Sequence, residues 1–106
     1  MAASSQYRML VSMVLFGSLL FLAACNTPQG DPENGKKWFA MHNCSSCHGP
    51  HGNDGKAPHI AGLDMGYGKF VRKLRSSDSP IMPTFPESTI SQQDAADIYA
   101  YLKSIK

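Results

Sequence analysis

At 106 residues the chain has room for one small domain. Ten basic residues against eight acidic ones leave a formal charge of +2, too near neutrality to imply nucleic acid or an acidic polymer as partner. Three cysteines are an odd number, so disulfides alone do not account for them.

Residues 1–8 are polar with one positive charge, Arg8, and Met9 to Ala24 is apolar apart from Ser12, Gly17 and Ser18. That order is the pattern of an export signal. The apolar run is shorter than the roughly 20 residues that span a bilayer comfortably. It ends in Leu22-Ala23-Ala24-Cys25, which resembles the lipobox of bacterial lipoproteins. The resemblance implies cleavage before Cys25 and lipid on its thiol. An uncleaved membrane helix is the competing reading. Ordinary signal cleavage fits poorly, because Leu22 would stand three residues before the cut. The expected division is a signal over 1–24, a lipidated tether over 25–30 and a folded domain over 31–106. The domain would then be exported and anchored on the periplasmic or extracellular side of a bacterial membrane. Without residues 1–24 the formal charge falls to +1.

Asn26 to Gly30 is turn-rich and lacks apolar periodicity. Asp31-Pro32 reads as an N-cap followed by proline at the first helical position. The spacing predicts a helix from Pro32 to Asn43 with Gly35, Trp38, Phe39 and His42 along one side.

Cys44-Ser45-Ser46-Cys47-His48 is a C-x-x-C-H run, which reads as a covalent haem attachment site. Two thiols one helical turn apart can each add to one vinyl group on the haem edge, and the next imidazole can ligate the iron. A zinc site would need four ligands, and only scattered His42, His51 and His59 are left over. A thioredoxin-like couple would need a β-α-β pattern, which is missing. A structural disulfide closing so short a loop would constrain little.

Gly49 to Leu63 is rich in glycine and proline, as suits a chain folded against a flat ring. His51 and His59 read as exposed loop histidines. Tyr67, Phe70, Val71 and Leu74 recur at helical spacing and predict a helix from Met65 to Arg75. Its other side carries Lys69, Arg72, Lys73 and Arg75, a solvated face or a docking patch for an acidic partner. Ser76 to Thr89 holds Pro80, Pro83 and Pro86, which exclude regular helix. Met82, before Pro83, is pushed to an extended conformation and can bring a thioether to the open haem face. Core filling is the plainer role for it. Met65 could reach that face too, whereas Met41 lies on the side of the attachment motif. Ser91 and Asp94 form a near capping box for a last helix, with Ala95, Ile98, Leu102 and Ile105 as its apolar stripe, widened by Tyr101.

Taken in order, Cys44 to His48, Pro58, Ile81-Met82-Pro83-Thr84-Phe85 and Ile98-Tyr99-Ala100-Tyr101-Leu102 resemble class I cytochrome c over residues 31–106. The resemblance implies an all-α domain, about three helices around one haem c. It implies that the Pro58 carbonyl holds the His48 ring, that Met82 is the second iron ligand, and that Gly35 and Phe39 meet Ile98 and Tyr101. A six-ligand iron does no bond chemistry, so the expected role is transfer of single electrons between redox protein partners. The alternatives are a haem subunit of a larger periplasmic oxidoreductase, or a five-coordinate haem enzyme or sensor if Met82 is not bound.

Overall fold

The computed structural model describes residues 28–106, so the signal and Cys25 lie outside the described residues. Among the described residues the chain forms four helices and no strand: α1 (Pro32–Met41), α2 (Cys44–His48), α3 (Tyr67–Arg75) and α4 (Gln92–Ser104). The fold is all-α, with long irregular connections. None of these helices is long and apolar enough to cross a membrane.

The Asp31 side chain accepts from the Glu33 N–H at 2.9 Å, and Pro32 occupies the first turn, so α1 starts as its sequence dictates. It stops at Met41, short of the expected Asn43. Asn43 sits in the left-handed region at φ 60°, which an α-helix cannot accommodate and which asparagine tolerates better than most residues. Its carbonyl accepts from the Ser46 N–H at 3.1 Å and opens α2 in a new direction. The attachment motif therefore has a helix of its own, and the expected three helices become four.

Helix α3 begins at Tyr67, after the extended Gly66, and buries Phe70 and Leu74. Helix α4 carries a full capping box: the Ser91 hydroxyl accepts from the Asp94 N–H at 3.1 Å, and the Asp94 carboxylate accepts from the Ser91 N–H at 3.3 Å.

The core is one cluster of Phe39, Leu63, Phe70, Leu74, Ile90, Ala95, Ile98, Tyr101 and Leu102. Helices α1 and α4 cross at Gly35, where any Cβ would overlap the Asp97 carbonyl and press on the Tyr101 Cβ. The Phe39 ring packs at a tilt against Tyr101, with ring centroids 5.7 Å apart. Ile98, expected at this crossing, is buried in the core, but the atoms against Gly35 belong to Asp97 and Tyr101.

Asp97 is an acid on the buried face of α4, only 4% exposed. It accepts from the Asp31 N–H at 2.8 Å, the Trp38 Nε1–H at 3.3 Å and the Gln93 Nε2–H at 3.0 Å. One carboxylate thus satisfies donors at the start and middle of α1. Asp97→Ala removes the shared acceptor of three part-buried hydrogen bonds and is expected to cost about 1–3 kcal/mol. Urea unfolding of the haem-loaded protein should show a lowered midpoint, with Asp97→Asn, which keeps one oxygen, falling between. An unchanged midpoint in Asp97→Ala would contradict this account.

The long loop after α2 has no regular structure of its own and is held by α4. Tyr101 Oη donates to the Pro50 carbonyl at 3.2 Å, Lys103 Nζ to Leu63 at 3.0 Å and Tyr99 Oη to Met65 at 3.0 Å. The Gly62 N–H reaches the Leu102 carbonyl at 2.7 Å.

Candidate functional site

Cys44 and Cys47 lie one turn apart on α2, both as free thiols. Cys44 is half-buried against the core, and burial pushes its thiol up, with neighbouring Cys47 adding to the rise. Cys47 is exposed. A group bridging the two would therefore have one edge at the core and the other at solvent.

His48 closes α2, and its ring is held from the far side of the loop: Nδ1 lies 2.9 Å from the Pro58 carbonyl. A carbonyl only accepts, so Nδ1 carries the proton and Nε2 keeps a lone pair for a metal. Two backbone features bring Pro58 into place. Gly49 turns the chain at φ 82°, and the Ala57 N–H donates to the Cys47 carbonyl at 2.9 Å. The tautomer, the free Nε2 and the turn-spaced thiols are the donor set a covalently attached haem requires. The residues fit the group.

The remaining histidines are placed elsewhere. His51 is exposed, and its Nδ1 lies 3.1 Å from the Asp54 carboxylate, which this hydrogen bond holds below the usual carboxylate range. His59 is exposed. It lines an open cleft of about 520 Å³ with Ile60, Leu63, Asp64, Met65 and Lys69; none of Cys44, Cys47, His48 or Met82 is on that wall. His42 meets the Phe85 ring edge-on at 6.2 Å. Among the described residues no three His, Cys, Asp or Glu side chains gather as a metal set, so the zinc reading of the two cysteines has no further ligands.

Met82 and Phe85 are half-buried and pack against the core, in a segment braced from within and from α3. The Ser79 hydroxyl accepts from the N–H groups of Ile81 at 3.2 Å and Met82 at 3.4 Å. The Phe85 N–H donates to the Leu74 carbonyl at 2.7 Å. Arg75, read from the sequence as part of a basic surface, turns inward instead. Its Nη1 donates to the carbonyls of Phe85 at 2.9 Å and Ile90 at 2.7 Å. Of the other cations on α3, Lys73 pairs with Asp78 at 2.9 Å, while Lys69 and Arg72 are exposed.

A family described as cytochrome C oxidase, cbb3-type, subunit III matches residues 30–102, which include Cys44, Cys47, His48, Pro58 and Met82. Searches of curated proteins and of solved structures returned no match. One attachment motif predicts one haem per chain. Mass spectrometry under reducing, denaturing conditions should find a single added haem that acid-acetone does not extract; extractable haem would contradict thioether attachment through Cys44 and Cys47. The match covers well over half of the chain and agrees with the all-α fold and the donor set of α2, and the protein thus belongs to this cytochrome c family, with covalently bound haem c as its cofactor.

Proposed function

We propose that this cytochrome carries single electrons between redox proteins through an iron held by His48 and Met82, from a lipid anchor at Cys25 on the periplasmic side of a bacterial membrane. Haem supplies one-electron chemistry at its iron, with a thioether ligand favouring the reduced state. The chain's residues supply attachment and constraint. Cys44 and Cys47 hold the ring edge, His48 offers Nε2, and the Pro58 carbonyl fixes the imidazole plane so that it does not rotate with the charge state. Met82 stands on a proline-stiffened, hydrogen-bonded loop, so its thioether is offered with little conformational freedom to lose.

The observation that carries this reading is the hydrogen bond from His48 Nδ1 to Pro58, which leaves Nε2 as a lone-pair donor beside the two thiols. The optical spectrum of the oxidised protein tests it: thioether-bound ferric haem has a weak far-red band. A spectrum without that band, with ready binding of carbon monoxide by the reduced form, would favour the five-coordinate enzyme or sensor instead.

A second reading is favoured by the description of the matching family, an oxidase subunit. In it the domain is the haem subunit of a larger membrane oxidoreductase. Co-purification of other subunits from detergent-solubilised membranes supports that reading; isolation of the cytochrome alone, active in accepting electrons, supports the free carrier.

A further inference from the structure

We infer that Arg75 is the positioning residue of the Met82 loop, setting how firmly the thioether competes for the iron. This rests on Met82 being the second iron ligand. The segment 76–90 has no helix or strand to hold it, and its three prolines remove backbone donors that could have done so. What closes it is a neck at the end of α3. There the Phe85 peptide is gripped on both sides: its N–H by the Leu74 carbonyl at 2.7 Å, and its carbonyl by Arg75 Nη1 at 2.9 Å.

The second N–H of the same Nη1 reaches the carbonyl of Ile90, a fully buried residue, at 2.7 Å. The Ile90 N–H in turn donates to the Pro86 carbonyl at 3.0 Å. One nitrogen therefore ties the two ends of the turn 86–90 to each other and to α3. Met82 lies three residues before the gripped peptide, and on its other side its N–H donates to the Ser79 hydroxyl at 3.4 Å. Arginine suits this place. The two N–H groups of its Nη1 diverge in a rigid plane toward two carbonyls. A charged donor to a backbone carbonyl also makes a stronger bond than a neutral one. Loosening the neck gives the loop freedom to swing Met82 away, and an added ligand then takes the position more readily.

The experiment is cyanide titration of the oxidised haem-loaded protein, followed through the far-red thioether band, in wild type, Arg75→Met, Arg75→Lys and Asp97→Ala. Arg75→Met keeps the apolar stem and removes the donors. It is expected to bind cyanide about tenfold more tightly, the ratio that loss of a charged hydrogen bond to the loop implies. Arg75→Lys, which keeps the charge but not the fork, should lie between and carries the test if Arg75→Met fails to load haem. Asp97→Ala weakens the distant α1–α4 crossing and should leave cyanide affinity at the wild-type value. Equal affinity in wild type and the Arg75 variants overturns the inference, as does an equal gain in Asp97→Ala, which would trace the effect to general destabilisation. A wild type with no thioether band overturns the Met82 assignment itself, and this inference with it. A band lost in Met82→Ala, with cyanide affinity unchanged by the Arg75 substitutions, overturns the inference alone.

Discussion

Met82→Ala is expected to open the iron of this cytochrome to carbon monoxide and cyanide and to abolish the far-red thioether band, while the haem stays covalently attached. The reduction potential should fall by on the order of 0.2 V, a fraction of the about 0.8 V that axial ligation spans. The sign follows from the ligand. A soft thioether stabilises the ferrous iron, and water or hydroxide in its place favours the ferric state. The two other methionines of the described residues act as controls. Met41 is 64% exposed at the end of α1, directly before the attachment helix. Met65 packs against the core while its carbonyl accepts from Tyr99 Oη at 3.0 Å. Met65→Ala should therefore keep the band and the potential. If Met65→Ala abolished the band and Met82→Ala retained it, the assignment of Met82 would be wrong.

If Cys25 is the proposed lipid anchor, Cys25→Ser should block lipidation and processing and leave precursor in the cells, because the serine hydroxyl does not replace a thiol that would carry lipid. Replacing residues 1–25 by a conventional cleavable signal should release a soluble, haem-loaded domain that still accepts electrons in vitro. The consequence for electron flow is geometric. The domain's packing extends outward to Gln29, whose carbonyl accepts from Gln93 Nε2 at 2.9 Å, and Gly30 lies directly against the Ala96 carbonyl on α4. Only residues 26–28 would then separate the proposed anchor from the folded body, a reach of about 10 Å when fully extended. Two or more acyl chains hold such an anchor stably. The haem domain would be kept beside the membrane and would serve partners on the same membrane. Inserting a Gly-Ser stretch after Cys25 should alter transfer in cells without altering the spectrum. Full electron flow from the soluble form would end the tethering proposal.

The sequence by itself determined what is local. The C-x-x-C-H run carries its chemistry within one turn of chain, and the helices starting at Pro32 and Gln92 are announced by caps two or three residues away. The hydrogen bond from His48 to Pro58 was legible only through the cytochrome resemblance, since nothing in the Pro-Gly-rich spacing selects that carbonyl. Tertiary structure alone decided the rest. Asn43 looked like one more residue of α1, but the left-handed turn there is set by where α2 must go. Nothing in the helical pattern of α4 singles out Asp97, and it is buried where donors 59 and 66 residues away converge on it. Arg75 looked like its exposed neighbours Lys69 and Arg72. Which of several cations on one helix turns inward depends on whether unpaired carbonyls come within reach, and the carbonyls of Phe85 and Ile90 do so only once the loop has folded back on α3. Periodicity and capping report the backbone's neighbours along the chain, whereas the partners of a buried charge are chosen across it.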